Sequence, residues 1–394
     1  MKKIGFITPW YGESIGGGAE AELRGLAHHL QEAGMELEVL TTCVKSFTSD
    51  WNENYHPEGY TLEANIPVRR FRVRARDVGA FDRVNQKLLM GERLSAEEEE
   101  TFCREMVNSP ELIKYIREHG EEYSLFVCIP YMFGPVYYGA QVYPEKTIMI
   151  PCFHDESYAH FTCFREAFSK VKGMAFNSEP ERKLAEELYG VKGDNFVTFG
   201  LGMDTGWSGD AARFRRKYGI DEPFILYAGR KDAGKRVDTL IGYFDEFRKR
   251  EDSDLKLVLI GGGSMRLPDQ ENILDLGFVD PQDKYDAYAA AALFCNPSEM
   301  ESFSIVIMES WLAGRPVLVN GLCPVTKDFV QRTNGGLYYT NYAEFDLCVR
   351  YLLSHPREME IMAQNGRNFV LENFTWKEIV RKYQEYFRRV AEEG

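Results

Sequence analysis

The N-terminal stretch KKIGFITPW runs straight into the glycine loop GESIGGGAE, and that junction constrains the fold more than any other feature of the chain. The apolar run reads as a short buried strand. A helix follows, with Leu23, Leu26, Ala27 and Leu30 at helical spacing and Gly34 as its stop, and ELEVLTT reads as the next strand. A strand, loop, helix, strand unit implies parallel pairing through a right-handed crossover. Strand signals return at LFVCIP (125–130), TIMIPCF (147–153) and GMAFNS (173–178), and ERKLAEELYG supplies a helix with a glycine stop. The second half repeats the alternation, from FILYAG and a helix with Val237, Leu240, Ile241, Phe244 and Phe247 on one face through LKLVLIGGG, NILDLGFV, DKYDAYAAAA and LFCNPS to PVLVN. Two doubly wound α/β domains in tandem are expected. Ligands of such sheets sit off the carboxyl ends of the strands, here in a cleft between the domains.

A polar, glycine-bearing stretch, DTGWSGDAARFRRKYGI, marks the boundary, so the domains are expected at 1–205 and 206–375, with a helical insertion at about 91–122. Residues 376–394 read as a separate amphipathic helix, with Trp376, Ile379, Tyr383 and Phe387 as its apolar stripe. A length of 394 residues also favours two cores over one. No apolar run approaches the roughly 20 residues that cross a bilayer, and the start of the chain lacks a signal-peptide pattern, so a cytoplasmic protein is expected. The eight cysteines are scattered without CxxC or clustered Cys/His spacing and read as free thiols, mostly buried. A net charge of −14 argues against general nucleic-acid binding. One basic segment stands out, VRRFRVRARD, whose near alternation of arginines from Arg69 to Arg76 suggests a strand with a basic edge, either solvated or facing an anionic acceptor or the headgroups at the inner face of the membrane.

Several residues fall where strands end. Gly16 and Gly17 open a helix whose N-terminus favours an anion, although the spacing is not the GxGxxG of a dinucleotide enzyme. Arg230 and Lys235 follow a buried strand and can clamp a diphosphate, one as a fork and one as a point charge. Glu301 lies in the loop after Asn-Pro-Ser, with Ser302 or Ser304 expected to cap the next helix. Glu301 and the first free amides can then meet sugar hydroxyls and a phosphate, while Glu309 can accept from the two hydroxyls of a ribose or can simply be a partly exposed helical residue. His154 stands directly after a strand and is a candidate partner for a sugar hydroxyl.

Together these motifs resemble the retaining glycosyltransferases of family 4. The likeness covers essentially the whole chain: Gly16 and Gly17, the His154-Asp155 pair, GMD at 202–204, Arg230 with Lys235, LGFV at 276–279, and Glu301 with Glu309 inside PSEMESFSIVIMESWLAGRPVL. The resemblance implies the GT-B fold, two Rossmann-like domains facing across a cleft with the C-terminal helix crossing back to the first, and it implies a metal-independent enzyme without cofactors. It assigns a nucleotide diphosphate sugar donor to the C-terminal domain and a saccharide or lipid-linked acceptor to the N-terminal one. Arg230 and Lys235 would hold the diphosphate, Gly277, Phe278 and Val279 the base through backbone groups, and Glu309 the ribose. Glu301 with the amides of Phe303 and Ser304 would meet the sugar and phosphate, and His154 and the Gly17 region would complete the site, with His154, Glu301, Arg230 and Lys235 as the catalytic set. One departure is SFS where SFG is usual. The competing readings are a non-hydrolysing sugar-nucleotide epimerase and a non-catalytic two-lobed sugar-nucleotide binding protein.

Overall fold

The computed structural model describes residues 2–251 and 253–392. The chain forms two units, the first made of residues 1–202 and 376–394, the second of residues 203–375.

In the first unit eight strands form one sheet: β1 (Lys3–Ile7), β2 (Leu37–Thr42), β3 (Gly59–Glu63), β4 (Ile66–Phe71), β5 (Tyr123–Cys128), β6 (Thr147–Met149), β7 (Gly173–Phe176) and β8 (Phe196–Thr198), in the spatial order β3-β4-β2-β1-β5-β6-β7-β8. All neighbours are parallel except β3, which returns antiparallel on β4. The central parallel strands are largely apolar runs, as sheets covered by helices on both faces require, and β2 is buried at every position, whereas β4 alternates and β8 is half-buried. The glycine-loop helix (Gly18–Glu32) buries Leu23, Leu26, Ala27 and Leu30, the stripe expected from its spacing.

The helical insertion starts earlier than the expected 91. It opens at Val78 with a helix to Leu89 capped by Asp77, and continues in Ala96–Glu105, with a Ser95/Glu98 capping box, and Pro110–His119, capped by Ser109. The C-terminal helix (Trp376–Glu392) belongs to the first unit and buries Ile379, Tyr383 and Phe387 along with Val380, Tyr386 and Val390. Its first residue explains two glycines. A Cβ on Gly25 would lie 2.2 Å from Trp376 Cζ2, and one on Gly202 would lie 2.1 Å from Trp376 Cε3. Among the described residues no helix is long and apolar enough to cross a membrane.

In the second unit β9 (Phe224–Ala228), β10 (Lys256–Ile260), β11 (Ile273–Gly277), β12 (Leu293–Asn296), β13 (Val317–Asn320) and β14 (Gly336–Tyr339) form an all-parallel sheet in the order β11-β10-β9-β12-β13-β14. The order reverses direction between β9 and β12, which pair Leu293 with Ile225 and Phe294 with Leu226. Doubly wound sheets bind ligands at that switch point, outside the carboxyl ends of the two central strands. The sequence places the Arg230 loop after one of these strands and the Glu301 loop after the other.

Candidate functional site

Two ion pairs join the loops at the β9/β12 switch point. Lys235 Nζ lies 2.9 Å from Glu301 Oε1, and Arg236 Nη2 lies 2.8 Å from Glu299. The β9 loop is shaped for this contact by Asp232, whose carboxylate accepts the Lys235 N–H at 3.0 Å, and by Arg236 in the left-handed region at φ 56°. Arg230 is exposed and pairs with Asp232, and its carbonyl oxygen accepts from the Tyr227 hydroxyl at 2.7 Å. The two cations expected to act together are thus each held by a carboxylate of the same region. Burial raises the Tyr227 hydroxyl above its usual range and keeps it a neutral donor.

The expectation that Ser302 or Ser304 caps the following helix does not hold. The helix spans Ile305–Leu312 with Ser304 at its N-cap position, but no side chain caps its amides. Ser304 Oγ instead accepts from Asn296 Nδ2 at 2.8 Å, and its backbone lies at φ 75° and ψ 76°, a left-handed conformation incompatible with the extended geometry of a capping serine. The same geometry accounts for SFS standing where SFG is usual: the position favours glycine, and here the Asn296 bond offsets part of a strain of about 1–2 kcal/mol. The Ser304 side chain therefore leaves the start of this helix without the cap that the local pattern favours. Phe303 is 2% exposed and packs on Phe374 and Phe329, at ring separations of 5.0 and 5.5 Å, so only its backbone can serve a ligand.

Glu309 is buried rather than a partly exposed helical residue. Its carboxylate takes Lys284 Nζ at 2.5 Å and the Tyr288 hydroxyl at 3.0 Å, both from the Pro281–Ala290 helix. Three contacts here were missed by sequence reasoning: Lys284, Tyr288 and Asn296 carry no motif of their own. Lys231, also missed, is buried and pairs with Asp275, which in turn accepts the Gly277 N–H at 2.9 Å. That pair fixes the end of β11, where Gly277 takes φ 63° and Phe278 stands 87% exposed, with its neighbour Val279 following. The Gly261–Gly263 turn lies against this end, and a Cβ on Gly262 would meet Phe278 at 2.3 Å.

In the first unit, Gly17 precedes the glycine-loop helix at φ 143°, and Glu20 folds back over it to accept from Trp10 Nε1 at 2.7 Å. Gly16 has open space around it. His154 Nδ1 lies 3.5 Å from Glu156, whose carboxylate also accepts from Tyr131 at 2.9 Å and from Tyr158. Asp155 pairs with His160 at 2.7 Å. The basic segment is a strand only as far as Phe71. Arg69 meets Glu38 at 2.8 Å, Arg70 meets Glu63 at 2.5 Å, Arg74 meets Glu105 at 2.9 Å, and Arg76 covers the Trp51 and Phe81 rings. Their charge is largely balanced inside the unit, with Arg72 the loosest at 3.9 Å from Glu58.

Residues 210–369 match the family model described as Glycosyl transferases group 1. An uncharacterized glycosyltransferase from Methanocaldococcus jannaschii is 29% identical over 181 residues, covering 43% of this chain and 46% of that protein. A D-inositol 3-phosphate glycosyltransferase from Acidothermus cellulolyticus is 32% identical over 179 residues, covering 39% of this chain and 40% of its own length. The chain therefore spans about half the length of the curated relatives it matches, from 40% to 54%. Among solved structures, Anabaena HepE in complex with UDP has a TM-score of 0.71 at 16% identity, over 99% of this chain and 100% of that one, a likeness of fold. Over residues 210–369 the chain is similar to the glycosyl transferases group 1, and its two sheets are those of the GT-B fold.

Proposed function

We propose that this chain is a retaining glycosyltransferase that moves a hexosyl group from a nucleotide diphosphate sugar to a saccharide or lipid-linked acceptor. The observation that carries the reading is the Lys235–Glu301 contact at the switch point of a group 1 domain, beside a helix start with uncapped amides. Arg230, Lys235 and those amides receive the diphosphate, Glu301 a sugar hydroxyl, Glu309 the ribose, and the Gly277–Val279 backbone the base. His154 and the Gly16–Gly17 loop serve the sugar and the acceptor.

In front-face displacement the acceptor oxygen bonds to the anomeric carbon on the face from which the diphosphate departs. The bond from that carbon to the β-phosphate oxygen breaks, and the acceptor proton passes to the leaving phosphate, so configuration is retained. Fixed cations and helix amides stabilise the departing charge, which removes the need for a metal. A cytoplasmic setting agrees with the eight cysteines, all free thiols.

The test begins with thermal stabilisation by UDP and GDP, then transfer from the matching nucleotide sugars in the presence of a chelator. Glu301→Ala and Arg230→Ala are expected to lower transfer by a factor on the order of 10² with little change in Tm. An isomeric nucleotide sugar formed without acceptor would instead mark an epimerase, and donor binding without turnover a binding protein.

A further inference from the structure

Four buried polar side chains meet in the first unit: Glu22 of the glycine-loop helix, Cys152 two residues before His154, Asn177 at the end of β7, and Glu181 in the first turn of the helix Glu179–Tyr189. Glu22 is 3%, Asn177 2% and Glu181 1% exposed. Glu181 accepts the Phe153 N–H at 2.7 Å on one carboxylate oxygen and the Asn177 N–H at 2.6 Å on the other. Asn177 Nδ2 donates to Glu22 Oε2 at 2.8 Å, and Cys152 Sγ approaches the same oxygen at 3.6 Å. One asparagine thus ties two carboxyl groups together, and through them it ties the loop carrying His154 to the helix behind Gly17.

Among the described residues neither carboxyl group forms an ion pair with a lysine or arginine. The titratable groups facing the pair are Cys152, with Glu20 beyond it, His154 on the Glu181 side, and Tyr383 of the C-terminal helix. Two ionised carboxylates in one dry site would each carry a large desolvation cost, with their mutual repulsion in addition. Two backbone donors favour the charged form of Glu181, whereas Glu22 takes one amide and a weak thiol donor. Asn177 Oδ1 is buried with no hydrogen-bond partner, and a carboxylic O–H is the kind of donor this cluster lacks. Cys152 is held at φ 57°, so the loop is fixed in a strained conformation that its surroundings must maintain.

We propose that Glu22 and Glu181 are positioning residues that hold one proton between them at neutral pH, with the negative charge on Glu181, and that this pair fixes the Phe153–His154 backbone against the glycine-loop helix. The inference rests on the transferase reading only in assigning His154 and that loop to the reaction. Burial raises both groups, Glu22 to about 7 and Glu181 to about 8, which favours a shared proton; that the charge falls on Glu181 follows from its two backbone donors alone and runs against the order of those two values. Both groups bind a proton more tightly when folded, so their contribution to stability is complete below the ordinary carboxylate range and is lost as pH rises through about 7 to 8.

The experiment compares wild type with Glu22→Gln, an uncharged isostere that keeps a hydrogen-bond donor. In wild type a protonated-carboxyl infrared band is expected at pH 6.5 and absent at pH 9, Tm falls between pH 5 and 8.5, and transfer drops about threefold from pH 6.5 to 8.5. In Glu22→Gln the band is lost, the Tm slope flattens and the alkaline fall in transfer disappears. A merely structural role would lower Tm equally at every pH and leave the rate profile unchanged, which overturns the proposal. So does a wild-type spectrum without the band at pH 6.5, a result that needs no variant to fold. If neither protein transfers sugar while the band and the flattened Tm slope are both seen, the proton-sharing pair stands and the transferase reading falls.

Discussion

Lys235 has two jobs with opposite electrostatic signs, and separating them tests the site. In the proposed function it presents positive charge to an incoming diphosphate, and in the structure it pairs with Glu301 from 2.9 Å away. On that reading Lys235→Ala removes an attraction and also takes one neutralising charge away from a carboxylate close to where phosphate oxygens would sit. Taking the exposed charge about 6 Å from the nearest phosphate charge, Coulomb's law gives roughly 0.7 kcal/mol at the dielectric of water and about 2.8 kcal/mol at an effective value of 20. The second effect alone is then about 3- to 100-fold in affinity. Adding Glu301→Ala to Lys235→Ala should recover this part, so the double variant binds nucleoside diphosphate more tightly than Lys235→Ala alone. Isothermal titration with UDP and GDP at low and high salt reads it directly, and the recovery should shrink as salt screens the carboxylate. A double variant that binds no better than Lys235→Ala would refute the idea that the lysine and the acid share one electrostatic site.

Lys284→Met leaves the Glu309 carboxylate with Tyr288 as its remaining partner from the facing helix; a loss of about 1–2 kcal/mol in urea unfolding is expected, discounted because Lys284 is part-exposed, together with weaker nucleotide binding. Unchanged stability would show that the pair contributes no net energy. Gly25→Ala drives a methyl group into the Trp376 ring and should cost about 1–3 kcal/mol while detaching the start of the C-terminal helix, read as increased amide exchange over 376–392.

The strand and helix alternation was legible because the inner strands of both sheets are parallel and buried on both faces, which writes continuous apolar runs such as LFVCIP and LKLVLIG into the sequence. The loops carrying Lys235 and Glu301 could be placed for the same reason, since both follow such runs. What escaped sequence reading was set by contacts distant along the chain. Lys284 and Tyr288 reach Glu309 from another helix, and Asn296 diverts the Ser304 hydroxyl from the cap that local pattern favours. The arginines of 69–76 looked like an open basic edge because their acidic partners, Glu38, Glu63 and Glu105, come from other elements. The antiparallel β3–β4 hairpin was also unread, its strands being short and half exposed.

The second unit starts and finishes at one place: Met203 N–H donates to Phe374 O at 2.6 Å, and Met203 bridges Thr375 in parallel. A segment whose two ends are hydrogen-bonded neighbours can be lifted out of the polypeptide as a closed module. Residues 203–375 are therefore the natural span for separate expression, and a short splice joining Gly202 to Trp376 would return the C-terminal helix to its own unit without the insert.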